Sequence, residues 1–78
     1  MTEQEVRKIA GEIANGTLAF SSLLDTDITT NQATTVYFIA IDGKTEEEQA
    51  VIREEFFAVD KTILQKELEL VRQGRFVD

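Results

Sequence analysis

A chain of 78 residues with no Cys, His or Pro makes one small domain, near the lower size at which a single hydrophobic core suffices. Without Cys there are no disulfides, thiol nucleophiles or thiolate metal sites, and without His the commonest general base and metal ligand are gone. The net charge of −7 is concentrated between residues 25 and 60, where nine acids face only Lys44 and Arg53, a field that repels nucleic acid and attracts a basic partner.

The first segment, Thr2 to about Asn15, is predicted helical. Thr2 and Glu5 have capping-box spacing, Glu3 and Arg7 form an (i, i+4) pair, and Val6, Ile9, Ala10 and Ile13 make one narrow apolar stripe. Asn15-Gly16 is a fitting stop, since Gly takes the left-handed conformation freely. Residues 17–24 fit a short helix with Thr17 as N-cap, although Leu18, Phe20 and Leu24 also suit alternation. Asp25 to Ile28 reads as a polar connection.

Residues 29–42 decide the fold class. Val36 to Ile41 is an unbroken apolar run of good strand residues, yet Thr29 and Gln32 form another capping box and Ile28 with Ala33 sits at staple spacing. A strand apolar on both faces needs neighbours on both edges, and the chain has too few candidates to supply them. A helix over 29–42 is therefore favoured, which makes the protein all-α: a small bundle built on a helical hairpin with one long C-terminal helix. An α+β arrangement, α-β-β-α, is the alternative.

The longest element is predicted over Thr45–Gly74, opened by a capping box between Thr45 and Glu48 and joined to 29–42 through Gly43-Lys44. At 100° per residue its apolar side chains fall on two stripes roughly 130° apart. Ile52, Phe56, Val59, Ile63 and Leu70 form one, and Phe57, Leu64, Leu68 and Val71 the other, with Arg53, Asp60 and Glu67 between them. A helix with one neighbour needs one stripe, so this one is expected to have two. The first helix, with its narrow face, is expected to cover the second stripe only in part. Self-association through Phe57, Leu64, Leu68 and Val71, most simply as a homodimer, would cover the rest. The charged line reads as a solvated seam flanked by two helices, or as a register-setting line between subunits.

Three constellations invite chemistry. Asp25, Asp27 and Asn31 match the first half of a calcium loop, but Thr30 stands where Gly makes the turn and Val36 where the bidentate Glu belongs, so helix-capping acids are the simpler reading. Glu47, Glu54 and Glu55, with Glu46 and Glu48, complement the N-terminal macrodipole, as Lys66 and Arg72 would complement the other end; the alternative use of Glu47, Glu54 and Glu55 is docking a basic surface. The tail Arg75-Phe76-Val77-Asp78 offers two apolar residues to the bundle or to a second subunit. No run spans a bilayer. The expectation is a cytoplasmic, non-enzymatic protein–protein interaction module without cofactor or metal, an inhibitor or accessory protein. The second reading is a self-associating connector or chaperone in a larger assembly.

Overall fold

A computed structural model of the chain describes residues 1–74. Its elements are α1 (Glu3–Ala14), a 3-10 helix (Phe20–Asp25), α2 (Thr30–Ile41) and α3 (Glu46–Arg72), with no strand among the described residues. The fold is all-α, and the α-β-β-α alternative is overturned: Thr34–Ile41 is helical throughout. The reason lies in how the apolar run divides. Ala33, Val36, Tyr37 and Ala40 recur at i, i+3, i+4 and i+7 and are all buried. Thr34 and Thr35 donate their hydroxyls to the Thr30 and Asn31 carbonyls, 3.0 Å in each case, so both hydroxyls are satisfied within the helix.

All three α-helices start on a capping box, at Thr2, Thr29 and Thr45, with the hydroxyl accepting from the N3 amide and the N3 side chain reaching back to the cap. The end of α1 explains the departure in 17–24. Gly16, at φ +82°, lets its own amide bond to the Ile13 carbonyl and the Thr17 amide to the Glu12 carbonyl (3.2 and 2.9 Å), a Schellman closure. Asn15 Oδ1 also accepts from the Thr17 amide at 2.9 Å. Thr17 is thus held by the end of α1 and caps nothing; the next helix starts three residues later, is 3-10, and has Ala19 at its N-cap without a side-chain bond.

The connection 42–45, with Gly43 at φ +76°, folds α2 back on α3. Helix α1 packs on α2, α2 packs on α3, and the 3-10 helix closes the other side of α3. One core results, from Val6, Ala10 and Ile13 of α1, Phe20 and Leu23, the α2 face, and Ile52, Phe56, Val59 and Ile63 of α3. Phe56 is its aromatic centre: Tyr37 stacks on it at 4.8 Å between ring centroids, and Phe20 and Phe57 lie at 5.5 and 5.7 Å. Leu70 is half-buried rather than part of the core. A 27-residue helix is about 40 Å long at 1.5 Å per residue, so α3 alone sets the 41 Å long axis of the molecule.

Lys66 departs from expectation. It does not complement the end of its own helix but donates to the carbonyls of Leu24 (2.8 Å) and Thr26 (3.0 Å), at the end of the 3-10 helix. A cation on orphan C-terminal carbonyls is favourable wherever the helix end happens to be. Helix α1 departs too. Its apolar face goes to α2, so it does not cover the second stripe of α3.

Candidate functional site

The two stripes of α3 have opposite fates. Ile52, Phe56, Val59 and Ile63 are buried, whereas Phe57 (60%), Leu64 (43%), Leu68 (53%) and Val71 (53%) stay largely exposed. Of the charged line between them, Arg53 and Glu67 meet α2. Arg53 Nε donates to the Tyr37 hydroxyl at 3.0 Å, and Thr30 donates its hydroxyl to Glu67 at 2.8 Å. The line thus lies at the edge of the α2–α3 packing, with α2 on one side and the exposed second stripe on the other. These two bonds hold the α2–α3 seam, beside which the second stripe stays exposed.

Phe38 adds to that surface. It is 61% exposed and its ring lies 5.4 Å from Tyr37. In an antiparallel hairpin, Phe38 on the flank of α2 and the stripe on the flank of α3 turn to the same side of the molecule. Ring contacts run without a break from Phe38 through Tyr37 and Phe56 to Phe57.

On a different face of α3, Glu47, Glu54 and Glu55 are all exposed, as expected of them. At their centre stands Val51, 58% exposed, with Glu47 and Glu48 at i−4 and i−3 and Glu54 and Glu55 at i+3 and i+4, the neighbouring positions on a helix surface. Glu48 is engaged in the cap, where the Thr45 hydroxyl and amide hydrogen bonds hold its carboxyl below the usual range despite some desolvation, with a smaller contribution from Lys44. Beside Val51 a shallow groove of about 370 Å³ runs between the end of α1 and the start of α3. Its floor is Ile13, Ala14, Leu18 and Ile52, and Glu48, Glu55 and Lys44 stand on its walls. Only Glu55 of the three expected docking residues reaches this groove.

Asp25 and Asp27 are exposed, Asp25 within the 3-10 helix. Among the described residues no group of three carboxylates lies close enough to hold a metal ion, and no polar or charged residue is buried. None of the described helices is long and apolar enough to cross a membrane. The tail Arg75–Asp78 lies outside the described residues. Two features of the surface escaped the sequence: Phe38, hidden in a continuous apolar run, and the encirclement of Val51, which the (i, i±3) and (i, i±4) spacing would have revealed.

Compared with protein-family models, curated proteins and solved structures, the chain matches none.

Proposed function

We propose that the protein is a non-enzymatic interaction module that works as a pair of identical chains, joined through the second stripe of α3 and presenting its acidic α3 face to a basic partner, as an inhibitor or accessory protein does. The exposure of Phe57, Leu64, Leu68 and Val71 on one helix face carries this reading. Fully burying such a side chain contributes about 1.5–3 kcal/mol, and each has roughly half of that still to gain. Two chains together would gain ~6–12 kcal/mol, against an association cost of about 4–15 kcal/mol. The balance points to a modest, concentration-dependent dimer. Absence of His and Cys from the sequence and the exposure of every carboxylate around Val51 support docking over catalysis.

Sedimentation across the micromolar range is the test. The wild type is expected to move from 8.8 kDa toward twice that mass, and Leu64→Glu or Leu68→Glu to remain monomeric with α-helical content intact. A wild type that stays at 8.8 kDa at every concentration overturns the self-association. The acidic face is tested separately: Glu47/Glu54/Glu55→Gln should leave stability nearly unchanged and weaken capture of a basic partner most at low salt.

A further inference from the structure

The surface that would join two copies is unequal along its length. Thr30, the first residue of α2, is bonded to Glu67, so the last turn and a half of α3 has no α2 beside it. Leu68 and Val71 are exposed on that bare end, and Leu70 is only half-buried. At the other end of the stripe α2 is present, and Phe38 stands out from it, linked to Phe57 by the intervening rings of Tyr37 and Phe56. One end thus carries a surplus apolar side chain, and the other lacks cover among the described residues.

Charge follows the same axis. Residues 46–60 of α3 hold six acids against Arg53 alone, while residues 61–72 hold three bases against Glu67 and Glu69. A parallel pair would lay acid on acid and bare end on bare end. An antiparallel pair instead carries the two acidic N-terminal segments to opposite ends, away from each other, and opposes the helix macrodipoles favourably. Exposed charges of this kind select an orientation more than they add affinity.

We propose that the second copy lies antiparallel on the first, α3 against α3, about a two-fold axis near Leu64, with Phe38 of each chain covering the Leu68–Val71 end of the other. The midpoint of the stripe Phe57–Val71 places the axis at Leu64, and an axis there carries the level of Phe57 onto that of Val71 of the second chain. This inference rests on the self-association proposed above; orientation and register are what it adds. Two acidic faces then point away from each other at opposite ends of the assembly.

The chain has no Cys, so single spin labels can be placed at Ala50→Cys, Gln65→Cys and Arg72→Cys, all exposed positions outside the stripe. At a 1.5 Å rise per residue, two labels separate along the axis by about 3 Å for each residue from Leu64. The pair is expected to be close at Gln65, about 25 Å apart at Arg72 and about 40 Å apart at Ala50. Equal short distances at all three sites overturn the antiparallel orientation while leaving the dimer standing. No dipolar coupling at any site, with sedimentation at the monomer mass, overturns the self-association itself. Phe38→Ser, which removes a side chain exposed in the single chain, should raise the dimer dissociation constant about tenfold or more, the value of burying one large apolar group. An unchanged constant removes Phe38 from the interface and with it the asymmetric coverage.

Discussion

Tyr37 does two things at once: its hydroxyl accepts from Arg53 Nε at 3.0 Å, and its ring lies nearly flat on Phe56, 4.8 Å away and inclined by 15°. The stack is buried and the hydrogen bond is at the surface edge of the α2–α3 seam. Removing the hydroxyl alone therefore separates them. Tyr37→Phe should cost about 0.5–1.5 kcal/mol, the net value of one hydrogen bond, toward the lower end because Arg53 is exposed. Chemical denaturation measures it, and a loss well beyond that range would mean that Arg53 holds more of the seam than this one contact.

Phe56 and Phe57 are adjacent in sequence and opposite in consequence. Phe56→Ala removes the ring that Phe20, Tyr37 and Phe57 all touch and should cost about 3–5 kcal/mol, a typical core aromatic truncation. Phe57→Ala should cost only about 1 kcal/mol in the dilute single chain, the half of its burial already realised there. Its main effect should appear instead as a loss of the concentration dependence of the melting temperature. If Phe57→Ala destabilises the dilute chain as Phe56→Ala does, the stripe is part of the fold.

Lys66 anchors the 3-10 helix through the Leu24 and Thr26 carbonyls. Lys66→Met keeps most of the stem and loses both charge-assisted bonds. Amide hydrogen exchange should rise over Phe20–Thr26 and stay unchanged in α1, since opening free energies are local to cooperative units. Uniform acceleration across the chain would instead make Lys66 a determinant of global stability.

The cap at the start of α3 titrates, and the one at the start of α2 does not, because Glu48 fills the N3 position in the first and Gln32 in the second. Thr45 holds the Glu48 carboxyl below its ordinary value of 4.5. A depressed folded pKa means that this contribution is complete above the ordinary value and is lost as pH falls through the folded one. Below pH 4.5, the first turn of α3 should fray before that of α2, visible in amide shifts. Thr45→Ala should return Glu48 toward the ordinary value; an unmoved titration would assign the shift to Lys44 instead.

The parts of the fold that obey local rules were legible. Each capping box follows from an (i, i+3) pair, and each placed its helix start correctly. Gly16 and Gly43 marked stops for the same reason. Residues 34–41 were ambiguous because Phe38 and Ile39 fill the positions that would otherwise have been polar, so no period showed; the supply of neighbouring elements decided for helix. The 3-10 helix was misplaced because the Thr17 amide closes α1, a competition that spacing alone does not reveal. Lys66 was read against its own helix because its true acceptors lie 40 and 42 residues away. Of the candidate site, both stripes and the seam could be placed from helical angle. Which stripe faces outward could not, since it depends on α1 choosing α2.

That choice has a further side. Phe56 and Phe57, Ile63 and Leu64, and Leu70 and Val71 are successive pairs, so turning α3 by a single residue's rotation would exchange one stripe for the other at three levels. The two packings would bury similar apolar volume and compete as near-degenerate minima. What separates them is the intervening register: the turned helix would carry Arg53 into the place of Ile52 and Asp60 into that of Val59, two unpaired charges in an apolar interior. In the native setting the same residues sit at the seam, where Arg53 finds Tyr37. The charged line thus acts on the energy landscape more than on the native state, by making the mirror choice of face unaffordable, and a chain with aliphatic residues at both positions would be expected to hesitate between two folds of nearly equal depth.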